Sequence, residues 1–416
     1  MLLRADYSLG VQHMNNEQKA QRKIIMTGAL ITGAGIGVFS NCMGVFVTPV
    51  CHALGFSRGG FTLTGTLSIL SSMTVLLLFG RWLQTVPIRR ILLLCSLLCG
   101  SVPLAYSFCN KLWQFYLCAF VNGLGINGLT MLTVGVLIER NLRNSRGVAM
   151  GASFAGVGVF SSLMIPLLQL TIERYGWRWG YRLQSAVGLA VLLPTVLLLV
   201  RGGGGTPGCE TETAAGGTDC ADAMKTVCFW LLFAGLFCAN FVNLSLYNHA
   251  IPYLTDIGFG AMSAAMVSSV ATLLMSVSKP AYGAALDKFG LKAGALLLGT
   301  VLLAGSATAL VLAQCRQIGF LYSVLLAGCA CANAIPGNVF AAGLFGRKDY
   351  ARISARLTFA ASAGAAGGVP LAGLWFDRTG AYDPMWLLCS LLSLLAGGLL
   401  FGAAGKAHGP RNKTSH

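Results

Sequence analysis

Lys279 is the residue whose place in this sequence most constrains its chemistry. It stands in Ser276-Val277-Ser278-Lys279-Pro280-Ala281-Tyr282-Gly283, inside an apolar run from Gly260 to Leu286. A helix crosses a bilayer with about 20 apolar residues, and this run is long enough. At ~1.5 Å of rise per residue, Lys279 lies roughly 12 Å from Asp287 and roughly 28 Å from Gly260, near the membrane middle. A charge at that depth costs from a few to more than ~10 kcal/mol, so it faces a wet cavity or a partner and marks a path for solutes. The 13 acidic residues all fall in tails, loops or helix borders, which leaves Lys279 no buried carboxylate within the chain. A bound anion can balance it; a snorkelling or helix-packing role is the alternative. At spacings of three and four, Ser268, Thr272, Ser276, Lys279 and Gly283 share one helical face, the small polar lining expected of a cavity wall.

Other polar groups interrupt the apolar runs. Asn41, Asn240, Asn243 and Tyr247 belong to the first and seventh runs, and Asn122, Asn127, Asn333 and Asn338 to the fourth and tenth. Turned inward they bind a solute or a bridging water; turned toward a neighbour they are interhelical hydrogen bonds worth about 1 kcal/mol. His249 precedes Pro252 near the outer end of the seventh run. It either gates a cavity and titrates with external pH or bonds an interfacial neighbour. Arg352 and Arg356 stand one helical turn apart at the inner end of the eleventh run, and Arg356 is the second candidate for meeting a solute. Gly-rich stretches such as Gly123-x-Gly125-x-x-Gly128 lie inside apolar runs, where they permit close helix contact rather than cradle phosphate.

The elements that must position these groups are membrane spans. Of 416 residues, 55% are hydrophobic and 10% charged, and the mean hydropathy is +0.71; soluble domains carry about 25% charge. The 14 Cys show no metal-ligand spacing, and the net charge of +16 is spread over short loops, which argues against nucleic acid as a partner. Met1 to Lys23 lacks the apolar core of a removable signal peptide, so the first span is expected to direct insertion. Twelve runs follow: Ile24 to Val50, Gly60 to Phe79, Ile91 to Phe108, Leu112 to Ile138, Gly147 to Ile172, Leu183 to Val200, Thr226 to Leu254, Gly260 to Leu286, Leu291 to Ala313, Ile318 to Phe345, Ile353 to Phe376 and Met385 to Phe401. With the N-terminus inside, inner segments hold 21 of the 29 basic residues and outer loops hold 7. Both termini are therefore expected in the cytoplasm of a cell (plasma or inner) membrane.

Residues 201–225 contain Gly202-Gly203-Gly204-Gly205 followed by Glu210, Glu212, Asp219 and Asp222, the composition of a flexible inner linker. It separates two halves that repeat. Pro49, Gly55 and Phe56 recur as Pro252, Gly258 and Phe259; Gly80 and Arg89 as Gly283 and Lys292; Pro166, Glu173-Arg174 and Gly176 as Pro370, Asp377-Arg378 and Gly380. The expected architecture is an all-α membrane protein of twelve transmembrane helices in two six-helix pseudo-repeat bundles. Its parts are an N-terminal tail (1–23), a first bundle (24–200), the linker (201–225), a second bundle (226–403) and a C-terminal tail (404–416). Such a duplication places a solute cavity between the halves, open to each side in turn.

At this level the chain resembles the major facilitator superfamily over nearly its whole length, Ile24 to Phe401. Tyr247-Asn248-His249-Ala250-Ile251-Pro252-Tyr253-Leu254-Thr255-Asp256-Ile257-Gly258 resembles the His, Pro-Tyr and Asp-x-Gly pattern of the monocarboxylate-transporter-like branch. Arg146-Gly147-Val148-Ala149-Met150-Gly151 and Gly176-Trp177-Arg178-Trp179-Gly180-Tyr181-Arg182 resemble that branch and the oxalate/formate antiporters. The resemblance implies that Lys279-Pro280-x-x-Gly283 stands where the branch carries Arg-Pro-x-x-Gly, whose Arg binds a substrate carboxylate; Lys keeps the charge but not the bidentate fork. Met275 and Asn41 replace the branch's proton-coupling Asp and its first-span Lys, and the interior of the eleventh run has no cation. Gly80-Arg81 and Gly283-x-x-x-Asp287-Lys288-x-Gly290-x-Lys292 resemble the superfamily's inner-loop latch.

The expected activity is secondary or facilitative transport of a small organic anion, a monocarboxylate in this reading, by exchange, uniport or symport. Lys279 would hold the carboxylate, with Asn41, Asn243, Tyr247, Ser276, Thr272, Asn122 and Asn333 around it. His249, Asp256, Arg81, Asp287, Lys288 and Arg356 are the expected gating or coupling residues. No cofactor, metal or enzymatic constellation is expected, and the partners are the anion and the lipid bilayer, with the chain acting as a monomer. The alternatives are a multidrug or lipophilic-compound exporter of the same fold and a transporter-like sensor that binds without translocating.

Overall fold

The computed structural model describes residues 21–130, 133–135, 137–138, 146–200, 217–334, 336–346 and 348–406. The expected tails up to residue 20 and beyond residue 406, and linker residues 201–216, lie outside the described residues. Among the described residues, nine helices are long and apolar enough to cross a membrane, and each of the twelve apolar runs falls on helix.

Six helices build the first half: α1 (Gln21–Leu54), α2 (Arg58–Thr85), α3 (Ile88–Tyr106), α4 (Leu112–Ile126), α5 (Arg146–Tyr175) and α6 (Trp177–Pro194). The second half begins with α7 (Val227–Asp256) and α8 (Ala261–Leu312). The latter folds back at Gly290, whose φ of 78° suits a residue without a Cβ. The Tyr282 hydroxyl reaches the Gly294 carbonyl at 3.0 Å, a separation of 12 residues that a straight helix would stretch to ~18 Å. Two helices that meet at Gly290 thus supply the eighth and ninth crossings.

The tenth run, expected as one span, is broken. α9 (Gly319–Cys329) is interrupted at Ala330 and followed by a one-turn helix, Cys331–Ala334, and α10 covers Pro336–Phe345. The fold closes with α11 (Tyr350–Thr379) and α12 (Asp383–Gly405).

The repeat is visible in the backbone. Gly55 and its counterpart Gly258 take φ of 67° and 89°, and Gly176 and Gly380 take 85° and 71°. Within each half, glycine brings one helix pair together. A Cβ on Gly156 of α5 would strike the Ala29 carbonyl of α1, and one on Gly368 of α11 would meet the Phe241 carbonyl of α7 at 2.5 Å. Small residues allow this backbone contact where side-chain packing alone would hold helices further apart.

The end of the stretch expected to be a flexible linker is folded. Gly217 pairs with Gly346, the Thr218 amide donates to the Phe345 carbonyl at 2.8 Å, and Cys220–Lys225 forms a short helix. Lys348 to Asp219 (3.1 Å) and the Cys220 amide to Asp349 (3.0 Å) fix it against the inner ends of α10 and α11. Composition favours disorder there, but two contacts override it, Asp219 of the linker with Lys348 and Asp349 of the bundle with the Cys220 amide.

Candidate functional site

A cavity of about 350 Å³ lies between the halves. Four of the expected residues line it: Asn41 of α1, Asn122 of α4, Tyr247 of α7 and Asn333 at the break in the tenth crossing. The Asn41 amide donates to Ser161 Oγ at 3.1 Å, while its backbone carbonyl accepts from the Tyr247 hydroxyl at 3.2 Å, so this contact joins the halves. Asn122 donates to Ser68 Oγ at 3.2 Å. Two further amides, Gln184 and Asn248, also line the space. Gln184 is buried; its Nε2 donates to the Val38 carbonyl at 2.7 Å, and its Oε1 has no partner among the described residues. The rest of the wall is largely apolar and aromatic, and no Asp, Glu, Lys, Arg or His among the described residues lines it.

The other expected solute ligands are placed elsewhere. Lys279 is half-buried on α8, off the cavity wall, with no hydrogen bond or ion pair to another described residue. Depth accounts for the separation: Lys279 is roughly 28 Å along α8 from its outer start, whereas Tyr247 is only about 14 Å from the outer end of α7. Ser276 donates to the Ala155 carbonyl of α5 at 3.1 Å, and buried Thr272 donates to Ser269 of its own helix at 2.8 Å. Both belong to the α5–α8 seam, where Gly158 packs against the Thr272 carbonyl and Ser276 Oγ. Asn243 is buried within α7 and does not line the cavity. The face shared by Ser268, Thr272 and Ser276 therefore packs, rather than forming the wet wall its polarity suggested.

At the outer end, in the orientation set by the basic residues, a charged cluster closes over the cavity. Arg58, at the start of α2, forms two bonds to Asp256 at the end of α7, one of them Nη2 to Oδ1 at 2.9 Å. Its guanidinium lies 3.9 Å from the centre of the Phe376 ring and donates to the Tyr382 hydroxyl at 3.1 Å. Asp377 accepts from the Arg58 and Gly59 amides at 2.8 and 2.7 Å. Together with Ser57 Oγ, which accepts from the Gly60 amide at 3.1 Å, it satisfies the first free N–H groups of α2. Asp256 was expected from the sequence; Arg58, Asp377 and Tyr382 were not. The available signal was three charges of mixed sign at one depth on helices of different halves.

His249 is fully buried behind this cluster. Its Nε2 is 2.8 Å from the Val369 carbonyl and its Nδ1 is 2.9 Å from the Tyr382 hydroxyl. A carbonyl only accepts, so Nε2 carries the proton, and in the neutral ring Nδ1 accepts from Tyr382. Both partners come from its own half. This is the bonded-neighbour arrangement, with no path to external protons while the cluster is closed.

On the side expected to be inner, Asp287 and Lys288 are exposed in the last helical turn before Gly290, and the Arg81 side chain lies outside the described residues. Arg356 lies off the cavity wall and instead reaches the sulfurs of Cys220 and Met224 on the short linker helix. The folded linker occupies it.

Residues 25–278 and 233–415 match the model of the Major Facilitator Superfamily. The chain is 28% identical to monocarboxylate transporter 3 of Rattus norvegicus over 320 residues, 72% of this chain and 62% of that protein. It is 26% identical to the oxalate:formate antiporter of Oxalobacter formigenes over 173 residues, 40% of each. The chain spans about half the length of the curated relatives it matches. In three dimensions it superposes on the nucleoside transporter NupG with a TM-score of 0.75 at 13% identity, covering 91% of this chain and 99% of that one. That likeness is one of fold.

Proposed function

We propose, from the premise that this chain belongs to the Major Facilitator Superfamily, that it carries a small organic anion, a monocarboxylate in this reading, by secondary or facilitated transport. The family and the relatives are membrane transporters rather than enzymes, and those relatives are named for monocarboxylates and for oxalate and formate. The observation that carries the proposal is Lys279, a cation deep in a spanning helix with no hydrogen bond or ion pair to another described residue. An ammonium in that setting is most economically balanced by a mobile anion. The halves would rock about the cavity, with the Arg58–Asp256 cluster shut in the conformation described and both termini in the cytoplasm. Asp287, Lys288 and Arg81 would serve the inner latch.

Uptake of labelled monocarboxylates into proteoliposomes tests this. Lys279→Met is expected to abolish flux in a protein that still inserts and melts normally, and Lys279→Arg to retain part of it. Unchanged uptake in the Met variant removes Lys279 from the mechanism. A second reading, export of a lipophilic compound, draws on the uncharged wall of the cavity; energised dye efflux with no carboxylate flux would favour it.

A further inference from the structure

The cavity between the halves has a chemistry of its own, apart from Lys279. Four rings on its first-half wall, Phe46, Phe61, Tyr106 and Tyr181, face the space. They are coupled: Phe46 stacks on Tyr181 at 3.8 Å, Tyr181 meets Tyr106 at 5.1 Å, and buried Phe115 ties Tyr106 (5.3 Å) to Phe61 (5.6 Å) from behind. Rings braced in this way lose little freedom when another ring joins them, so the wall is preformed for a flat guest.

Amides stand next to the rings. A Cβ on Gly44 of α1 would meet the Asn248 main-chain carbonyl of α7 at 3.0 Å, so the two helices touch between Asn41 and Phe46. Ser161 Oγ donates to the Val157 carbonyl at 2.7 Å and therefore accepts from the Asn41 amide, while Asn248 Nδ2 donates to the Leu244 carbonyl at 3.2 Å. Both bonds fix which end of the amide is which. Each leaves a side-chain oxygen that receives no donor from a described residue, on side chains that are half-buried at the wall. Exposed Asn333 on the same wall makes no side-chain hydrogen bond to a described residue. An ion entering this space would shed water without meeting a counter-charge, whereas a neutral guest with N–H groups finds acceptors.

We propose that this cavity binds uncharged aromatic compounds bearing an N–H donor, of which primary aryl amides are the simplest, at a site separate from Lys279. The ring joins the Phe46–Tyr181 stack, and the N–H groups meet the side-chain oxygens of Asn41 and Asn248. The proposal goes beyond the anion-carrier reading and asks nothing of Lys279. It also differs from export of a lipophilic compound, because the guest must supply hydrogen-bond donors.

Calorimetric titration of the purified full chain with phenylacetamide, phenylacetate, methyl phenylacetate and cyclohexylacetamide tests charge, donor and ring in turn. Phenylacetamide is expected to bind at least about tenfold more tightly than phenylacetate, whose charge finds no partner on the wall. It is expected to bind about five- to tenfold more tightly than the ester, which has no N–H, and about threefold or more over the cyclohexyl amide, which has no π-face. Asn248→Leu, which keeps the volume, and Asn248→Ala, which does not, should each remove the advantage over the ester; the side chain bonds only its own helix, and melting profiles matching the parent's will verify that the fold is kept. Lys279→Met should bind phenylacetamide as the parent does. No binding of phenylacetamide, or phenylacetate binding as tightly, overturns the proposal. An ester or a cyclohexyl amide that binds as well overturns the donor or the ring requirement, and an unchanged advantage over the ester in both Asn248 variants overturns the placement. Loss of phenylacetamide binding in Lys279→Met overturns the separation of the two sites. Carboxylate flux that needs Lys279, without phenylacetamide binding, refutes this site and leaves the anion reading standing; binding without such flux does the reverse.

Discussion

Breaking the Arg58–Asp256 pair should open the outer end by a predictable amount. The pair is bidentate, with the Arg58 side chain 12% exposed and Asp256 28% exposed, so it lies between surface pairs, worth ~0–1 kcal/mol, and buried pairs whose disruption costs ~3–5 kcal/mol. About 2 kcal/mol is the corresponding estimate, and at ~1.4 kcal/mol per factor of ten it shifts the closed-to-open ratio by about 30-fold. The assay is labelling of a cysteine placed at Asn41, in a background without the native cysteines, by a membrane-impermeant maleimide added from outside. Arg58→Met and Asp256→Asn should each raise the labelling rate by about 30-fold, and the double variant should label little faster than either alone, because both remove one interaction. Arg58→Met also forfeits the Phe376 contact, an extra ~0.5–1 kcal/mol, so it should be the more open of the two. Strictly additive effects, or rates unchanged from the parent, would refute the assignment of this pair as the outer closure.

Two further outcomes follow from seams described above. Gly158→Ala should disfavour the present packing of α5 on α8, because the added methyl meets the Thr272 carbonyl at 2.5 Å; a cost of ~1–3 kcal/mol in thermal unfolding, with slower exchange of labelled substrate, is expected. His249→Leu leaves the Tyr382 hydroxyl proton without its acceptor, although Arg58 still donates to that oxygen, and takes the second donor from the Val369 carbonyl; a loss of ~1–2 kcal/mol is expected, and a melting temperature equal to the parent's would show that neither bond matters.

The helices and the duplication were legible because each rests on a pattern that one-dimensional reading captures: long apolar runs, charge at their borders, and glycines such as Gly55 and Gly258 that share a backbone conformation because each ends a helix. Asn41, Asn240, Asn243 and Tyr247 were legible together as polar groups on repeat-related helices, but which of them face the cavity was not. Lys279 shows the limit. Its depth could be counted in residues, but its distance from the cavity depends on how far α8 lies from α1 and α4, which no spacing within one helix encodes. Ser276 and Thr272 differ from the expectation because a small hydroxyl bonded to a carbonyl, across a seam for Ser276 and within its own helix for Thr272, looks the same in sequence as one facing water. The aromatic wall was missed because Phe46, Phe61, Tyr106 and Tyr181 sit in apolar runs where any ring also reads as lipid contact. The folded linker end depended on Asp349 and Lys348, about 130 residues away from its own acids.

Asp377 grips α2 by its main chain rather than by any side chain. The side chain at 58 can therefore change, short of proline, without loosening that hold, while the carboxylate opposite has no such latitude. Truncating Arg58 to alanine would be blind to this fastening, whereas a methyl on Gly59 would strike Leu374 of the partner helix.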